Sequence, residues 1–312
     1  MFKNRFSGLC LVACAPIAIS SRAAAAEQSI WRISSGVSYS KGDYGDISAT
    51  KVLAIPVSLT YRRAGLRLRV SLPWVRITGP GSLIQTPEGR DVGGGGVATG
   101  GSGGGSNSGP GSGGSGGSGG GPGPSGGGGG GGDVGTSAGT GTGSGTGGTP
   151  APNRRSGLGD LNVGATYSFD IGGKFYVEPG VKVKLPTASR SRRIGTGKTD
   201  VTVSADLVKE VGDATFYAGA RRRFTGKPAG STLRSTWGAG AGASVSLSRT
   251  LLLGADYDWQ QSSTRSRGPS SELTGWASTR LTRRARLTVS GTAGFTSSSA
   301  DWAGAAIISW PL

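Results

Sequence analysis

The sequence predicts an all-β protein: a transmembrane antiparallel β-barrel of about 12 strands with a long disordered Gly-rich external loop. Three observations carry this. From about Ser29 to Leu312 the chain alternates apolar and polar residues in stretches of roughly ten. Short and long connections separate the stretches in turn. An export leader precedes them.

Side chains of a strand switch faces at every residue, so strict alternation gives one apolar and one polar face. Leu251, Leu253, Ala255, Tyr257 and Trp259 share one face. Leu252, Gly254, Asp256, Asp258 and Gln260 share the other. The same reading places strands at about 30–40, 49–61 and 65–76, then at about 160–169, 174–185, 199–210, 214–225, 233–247 and 250–260. The last three fall at about 271–281, 285–296 and 301–312. An even number brings both termini to one end of a closed barrel.

The connections support that count. Arg62–Ala64, Asp170–Gly173, Val211–Asp213, Ser248–Arg249 and Thr282–Arg284 are tight. Lys41–Ser48, Ile77–Gly159, Pro186–Lys198, Gly226–Thr232 and Gln261–Ser270 are longer, and only Ser297–Ala300 breaks the trend. Outer-membrane barrels keep short turns inside and long loops outside, so the long connections are assigned to the external end.

Residues 1–26 read as a signal peptide. Lys3 and Arg5 precede the apolar run Leu9–Ile19, which leads to the small residues Ala23–Ala26. That run is too short to span a bilayer as a helix. A competing reading takes Leu11-Val12-Ala13-Cys14 as a lipoprotein cleavage box, with Cys14 lipidated. Both cysteines, Cys10 and Cys14, lie in this leader, and the chain has no histidine. A mature chain cut near Ala26 therefore has no disulfide, thiolate site or imidazole base. This argues against an enzyme, and no cofactor or metal is expected. The net charge of +17 becomes +14 when Lys3, Arg5 and Arg22 leave with the leader, which carries no acid.

The mature region, 27–312, reads as one barrel interrupted by a low-complexity segment at 91–156. From Gly93 to about Thr149 the chain is almost wholly Gly and Ser. Such a composition buries too little apolar surface to offset its ordering entropy, so a disordered loop is expected. A linker between two domains is the alternative. The three strands before it are too few for a separate domain, which favours a loop.

Aromatic residues stand near strand ends, as interfacial girdles require: Trp31, Tyr39, Tyr61, Trp74, Tyr167, Phe169, Trp259, Phe295, Trp302 and Trp310. A soluble barrel would invert the two faces; the leader and the strand lengths favour the membrane. Charge on a lipid face costs about 2–4 kcal/mol at the midplane for Arg or Lys. The charges opposite the apolar faces are thus expected in the lumen: Arg67, Arg69, Glu178, Lys182, Lys184, Asp206, Arg221, Arg223, Arg234, Asp256, Asp258, Arg280 and Arg286. Their basic excess would attract anions. Equally, they could pair off and fill the barrel. Arg222 falls on the apolar face and so belongs near an interface. Arg190, Arg192, Arg193, Arg265 and Arg267 are expected in external loops, solvated or against lipopolysaccharide. Gly197-Lys198-Thr199 is no phosphate loop, because Arg192 stands where the first glycine is needed and a strand follows.

Four motifs stand at strand ends: Leu72-Pro73-Trp74-Val75-Arg76, Gly157-Leu158-Gly159-Asp160, Lys184-Leu185-Pro186-Thr187 and Gly195-Thr196-Gly197-Lys198-Thr199-Asp200. Their order and spacing resemble the outer-membrane transporter-like family named for a MetA pathway of phenol degradation. The resemblance implies a barrel and passage of small, often aromatic or hydrophobic compounds, and it omits the Gly-rich insert. The terminal Ile308, Trp310 and Leu312 resemble the signal read by the barrel-assembly machinery, with Leu312 in place of the usual aromatic.

The expected function is a porin-like channel of the bacterial outer membrane that passes small aromatic or anionic solutes by diffusion. Its expected surroundings are outer-membrane lipid, lipopolysaccharide and the assembly machinery, with no nucleic acid. The alternative is a structural barrel that displays the Gly-rich loop without transport.

Overall fold

The computed structural model describes residues 30–44, 49–79, 153–192, 194–228, 233–263, 265 and 267–312. The expected leader, most of the Gly-rich insert and Arg193 lie outside them.

Among the described residues, fourteen strand segments make up the wall: β1 (Ile30–Gly42), β2 (Thr50–Arg63), β3 (Leu66–Gly79), β4 (Asn153–Leu158), β5 (Leu161–Tyr167), β6 (Phe169–Asp170), β7 (Phe175–Leu185), β8 (Asp200–Val211), β9 (Ala214–Phe224), β10 (Thr236–Ser246), β11 (Leu251–Gln260), β12 (Ser270–Arg280), β13 (Arg286–Gly294) and β14 (Trp302–Pro311). β4 and β5 both pair with β3, and β5 and β6 both pair with β7, so these three are pieces of one wall strand. Counted so, the wall has twelve strands. Every neighbouring pair is antiparallel, and β14 pairs with β1 to close the barrel. Closure leaves no unpaired edge, which a backbone in hydrocarbon requires.

Tight turns gather at one end. At the β2–β3 turn, Ala64 and Gly65 both have positive φ (46° and 79°), the conformation whose twist suits a two-residue hairpin. Gly212 serves the β8–β9 turn in the same way, with φ 59°. Both chain ends of the wall meet here, where the Leu312 amide donates to the Trp31 carbonyl at 2.9 Å. The longer links share the opposite end.

The outside of the barrel is apolar. Val37, Ile55, Val57, Val70, Val181, Val203, Leu207, Leu273 and Val289 are all exposed there, while alternate residues such as Ser38, Ser58, Ser71, Asp206, Thr274 and Thr288 are buried. Two aromatic belts bound this band. Trp31 and Tyr61 lie 4.8 Å apart near the tight-turn end, as do Tyr167 and Phe169 at 4.6 Å. Tyr39 and Trp302, 5.2 Å apart, belong to the other belt. This is a transmembrane barrel.

The structure corrects the reading of the fourth strand. The wall already includes Asn153–Leu158, whose first four residues fall in the segment 91–156 assigned to the low-complexity loop. The adjacent Arg154 and Arg155, the glycine and the short length hide its alternation. Between β4 and β5, Gly159, Asp160 and Leu161 oppose only Leu72 and Pro73 of β3, which makes a bulge. Pro73 has no N–H to give the ladder, but its carbonyl accepts from the Gly159 amide at 2.8 Å.

Candidate functional site

Strand alternation turns a ring of polar and charged side chains inward, and these form three layers. The layer nearest the tight turns is cationic. Arg62 of β2 stands directly opposite Arg67 of β3, and Arg280 of β12 directly opposite Arg286 of β13. Arg32 of β1 faces Thr60, which in turn faces Arg69. Arg62 lies in electrostatic range of Arg32, Arg67 and Arg69, and Arg286 of Arg280 and Arg32. Six arginines thus form one arc from β12 around to β3. Arg67 lies 3.9 Å from Glu178, Arg69 donates to Ser58 Oγ at 3.4 Å, and Arg286 to Ser278 Oγ at 3.2 Å.

In the middle layer, Glu178 of β7 stands directly opposite Asp206 of β8, both nearly fully buried. On the neighbouring wall, Asp256 accepts from the Tyr217 hydroxyl and from the Trp276 indole N–H at 2.7 Å. The large residues of this wall lie flat across glycines. Asp206 faces Gly219, Tyr217 faces Gly242, Arg221 faces Gly238 and Trp276 faces Gly254. A Cβ at any of the four glycines would overlap the opposite side chain. The glycines therefore let bulky side chains follow the wall instead of projecting across the lumen.

The layer nearest the long links is neutralised by ion pairs. Arg221 donates twice to Asp258, at 2.8 and 2.9 Å, and once to Gln260 at 3.1 Å. Such a two-point pair fixes direction as well as charge. Arg223 reaches Asp200 at 2.7 Å; Lys184 reaches both Asp200 at 3.3 Å and Asp160 at 3.0 Å. A small cavity beside these pairs is lined by Lys182, Thr202, Arg221, Arg223, Thr236, Gly238 and Gln260.

All four motifs converge on this layer. Asp160, turned inward by the bulge, accepts from the Ala188 amide at 3.0 Å, and Lys184 also donates to Thr196 Oγ1 at 3.1 Å. The Thr187 hydroxyl donates to the Gly159 carbonyl and accepts from the Leu161 amide. These bonds pull the β7–β8 link inward. Its Ala188 and Ile194 pack with Val52, Ala54, Val75 and Ile77 on the inner wall of β2 and β3. The link keeps the long-link end assigned to it, but this apolar contact draws part of it inward against β2 and β3, while its Arg190 and Arg192 stay exposed.

Two further residues are placed differently from the sequence reading. Arg234 precedes β10 and lies in the link, where its Nε donates to the Ser262 carbonyl at 2.9 Å. Arg267 is tied across the mouth rather than simply solvated, donating to the Tyr44 carbonyl at 2.7 Å. Arg222 points outward and lies over Trp237 at 4.9 Å and Phe224 at 5.9 Å, where the rings accommodate its charge. Sequence reasoning missed Arg32, Arg62, Asp160, Asp200 and Glu272, the last fully buried opposite Asp258 and accepting from the Ala300 amide at 3.2 Å. Among the described residues no group of three or more acidic side chains could hold a metal ion.

No protein-family model and no curated protein sequence matches the chain. Among solved structures it is similar to the COG4313 outer membrane channel from Pseudomonas putida F1. The TM-score is 0.54 at 13% identity, covering 93% of this chain and 97% of that one. The KdgM porin gives 0.45 at 8% identity, covering 89% and 98%. The CymD monoaromatic hydrocarbon channel gives 0.38 at 14% identity, covering 92% and 88%. At these identities the first likeness establishes the barrel fold, and the other two add nothing to it.

Proposed function

We propose that this chain is a porin-like channel of the bacterial outer membrane that passes small anionic solutes, including aromatic acids, by diffusion. The observation that carries this reading is the arginine arc. Two like charges about 6 Å apart repel by about 3 kcal/mol at an effective dielectric constant of about 20, but by under about 1 kcal/mol in water. Directly opposed arginines in a dry core would be strongly destabilising. Water or passing anions in the lumen relieve that repulsion. The ion pairs of the opposite layer leave little net charge there, so the arc supplies the selectivity. Large side chains held against the wall by glycines support an open path.

The aromatic part of the substrate class rests on the motif resemblance alone. Reconstitution in planar bilayers tests the channel: folded protein that gives no conductance would rule it out. Removing residues 93–149 separates transport from display. A channel keeps its flux without them, whereas a display barrel keeps no function.

A further inference from the structure

On the outward face at the long-link end, one register row crosses five strands. Trp302 of β14 pairs with Lys41 of β1, Lys41 with Lys51 of β2, Lys51 with Thr78 of β3, and Thr78 with Arg154 of β4. The inward neighbours Thr50, Ile77 and Arg155 are buried, which fixes the row as outward. Arg76, two residues below Thr78, also points outward and lies 5.3 Å from the Trp74 ring centroid. The row lies at the edge of the aromatic belt marked by Tyr39 and Trp302. That is headgroup level, where aromatic rings settle.

Four cations on adjacent strands, two of them directly opposed, are costly unless an anion covers them. None of the four forms an ion pair with a described carboxylate. Of the nearby acids, Asp43 follows Lys41 by two residues and Asp301 adjoins Trp302; both are exposed, and neither forms an ion pair with the row among the described residues. The opposite rim is basic too, with Arg63, Lys174, Lys209, Arg249, Arg283 and Arg284, but Asp170, Glu210 and Asp213 stand among them, whereas no acid falls within the row itself.

We propose that Lys41, Lys51, Arg76 and Arg154 form a binding surface for the phosphates of an anionic glycolipid in the outer leaflet. This rests on the outer-membrane reading but not on transport. The cations supply charge-assisted hydrogen bonds to phosphate oxygens, and Trp302 and Trp74 flank the acyl chains. Each basic residue near an anionic lipid surface contributes about fivefold in affinity.

The test uses full-length folded barrel in detergent with bisphosphorylated lipid A, dephosphorylated lipid A and inorganic phosphate as separate probes, read by native mass spectrometry. The triple variant Lys41→Gln/Lys51→Gln/Arg154→Gln is compared with Arg249→Gln/Arg283→Gln at the tight-turn end. The wild type and the second variant should prefer the bisphosphorylated lipid. The triple variant should lose on the order of tenfold to a hundredfold while keeping its fold and conductance. Equal binding of the two lipids, undiminished binding by the triple variant, or equal competition by inorganic phosphate overturns the proposal. Because binding is read apart from conductance, failure of the channel and failure of this surface are distinguishable.

Discussion

Arg62 and Arg67 stand directly opposite each other across β2 and β3, both facing inward, with Glu178 3.9 Å from Arg67 as the adjoining carboxylate. Like charges in register cost stability. The double variant Arg62→Gln/Arg280→Gln relieves both opposed pairs and leaves Arg67 on Glu178, so it is expected to fold at least as stably as the wild type. Its anion-to-cation permeability ratio should fall by roughly threefold or more, since lumen charge sets selectivity. A bi-ionic or salt-gradient reversal potential reads this directly.

Trp276 lies across Gly254, and its indole N–H bonds Asp256 at 2.7 Å. Gly254→Ala forces the ring toward the lumen. Overpacking of this kind costs about 1–3 kcal/mol. A lower melting temperature and a smaller single-channel conductance are both expected. Unchanged values of both would show that the ring does not line the path.

The inward β7–β8 link is held through Asp160, which takes the Lys184 ammonium and the Ala188 amide. Asp160→Asn removes the charge of a partly screened pair, worth at most a few kcal/mol locally. Limited proteolysis should then cut within residues 186–199 faster than in wild type, and conductance should rise. Protection equal to wild type would mean that the apolar contact of Ile194 suffices.

Burial pushes the Tyr44 phenol up to about 12, and its hydroxyl donates to Ser40 Oγ at 2.9 Å. An unfolded tyrosine titrates near 10, so the native form holds its proton longer. Stability is thus unaffected below about pH 10 and falls as pH rises from about 10 through about 12. Tyr44→Phe should flatten that alkaline loss, measured by thermal melts across the window.

Much of this fold is legible in the chain because one face of each strand has a single task. The alternation from Leu251 to Gln260 places Asp256 and Asp258 inward, as β11 has them. Arg32, Asp200 and Glu272 share parity with Ser34, Thr202 and Thr274, so the same rule could have found them. Their position near strand ends obscured it. Asp160 was not legible, because its inward turn comes from a bulge against Pro73, some ninety residues earlier. Nor was the seating of the β7–β8 link, where two apolar residues, Ala188 and Ile194, carry the contact without any period.

The central claim is a water-filled path whose arginine arc prefers anions. Its most direct test is the zero-current potential of the wild-type barrel in a planar bilayer under a potassium chloride gradient. A sign showing chloride more permeant than potassium is predicted, with the preference shrinking as salt screens the arc. A cation preference, or folded protein that passes no current, would contradict the account.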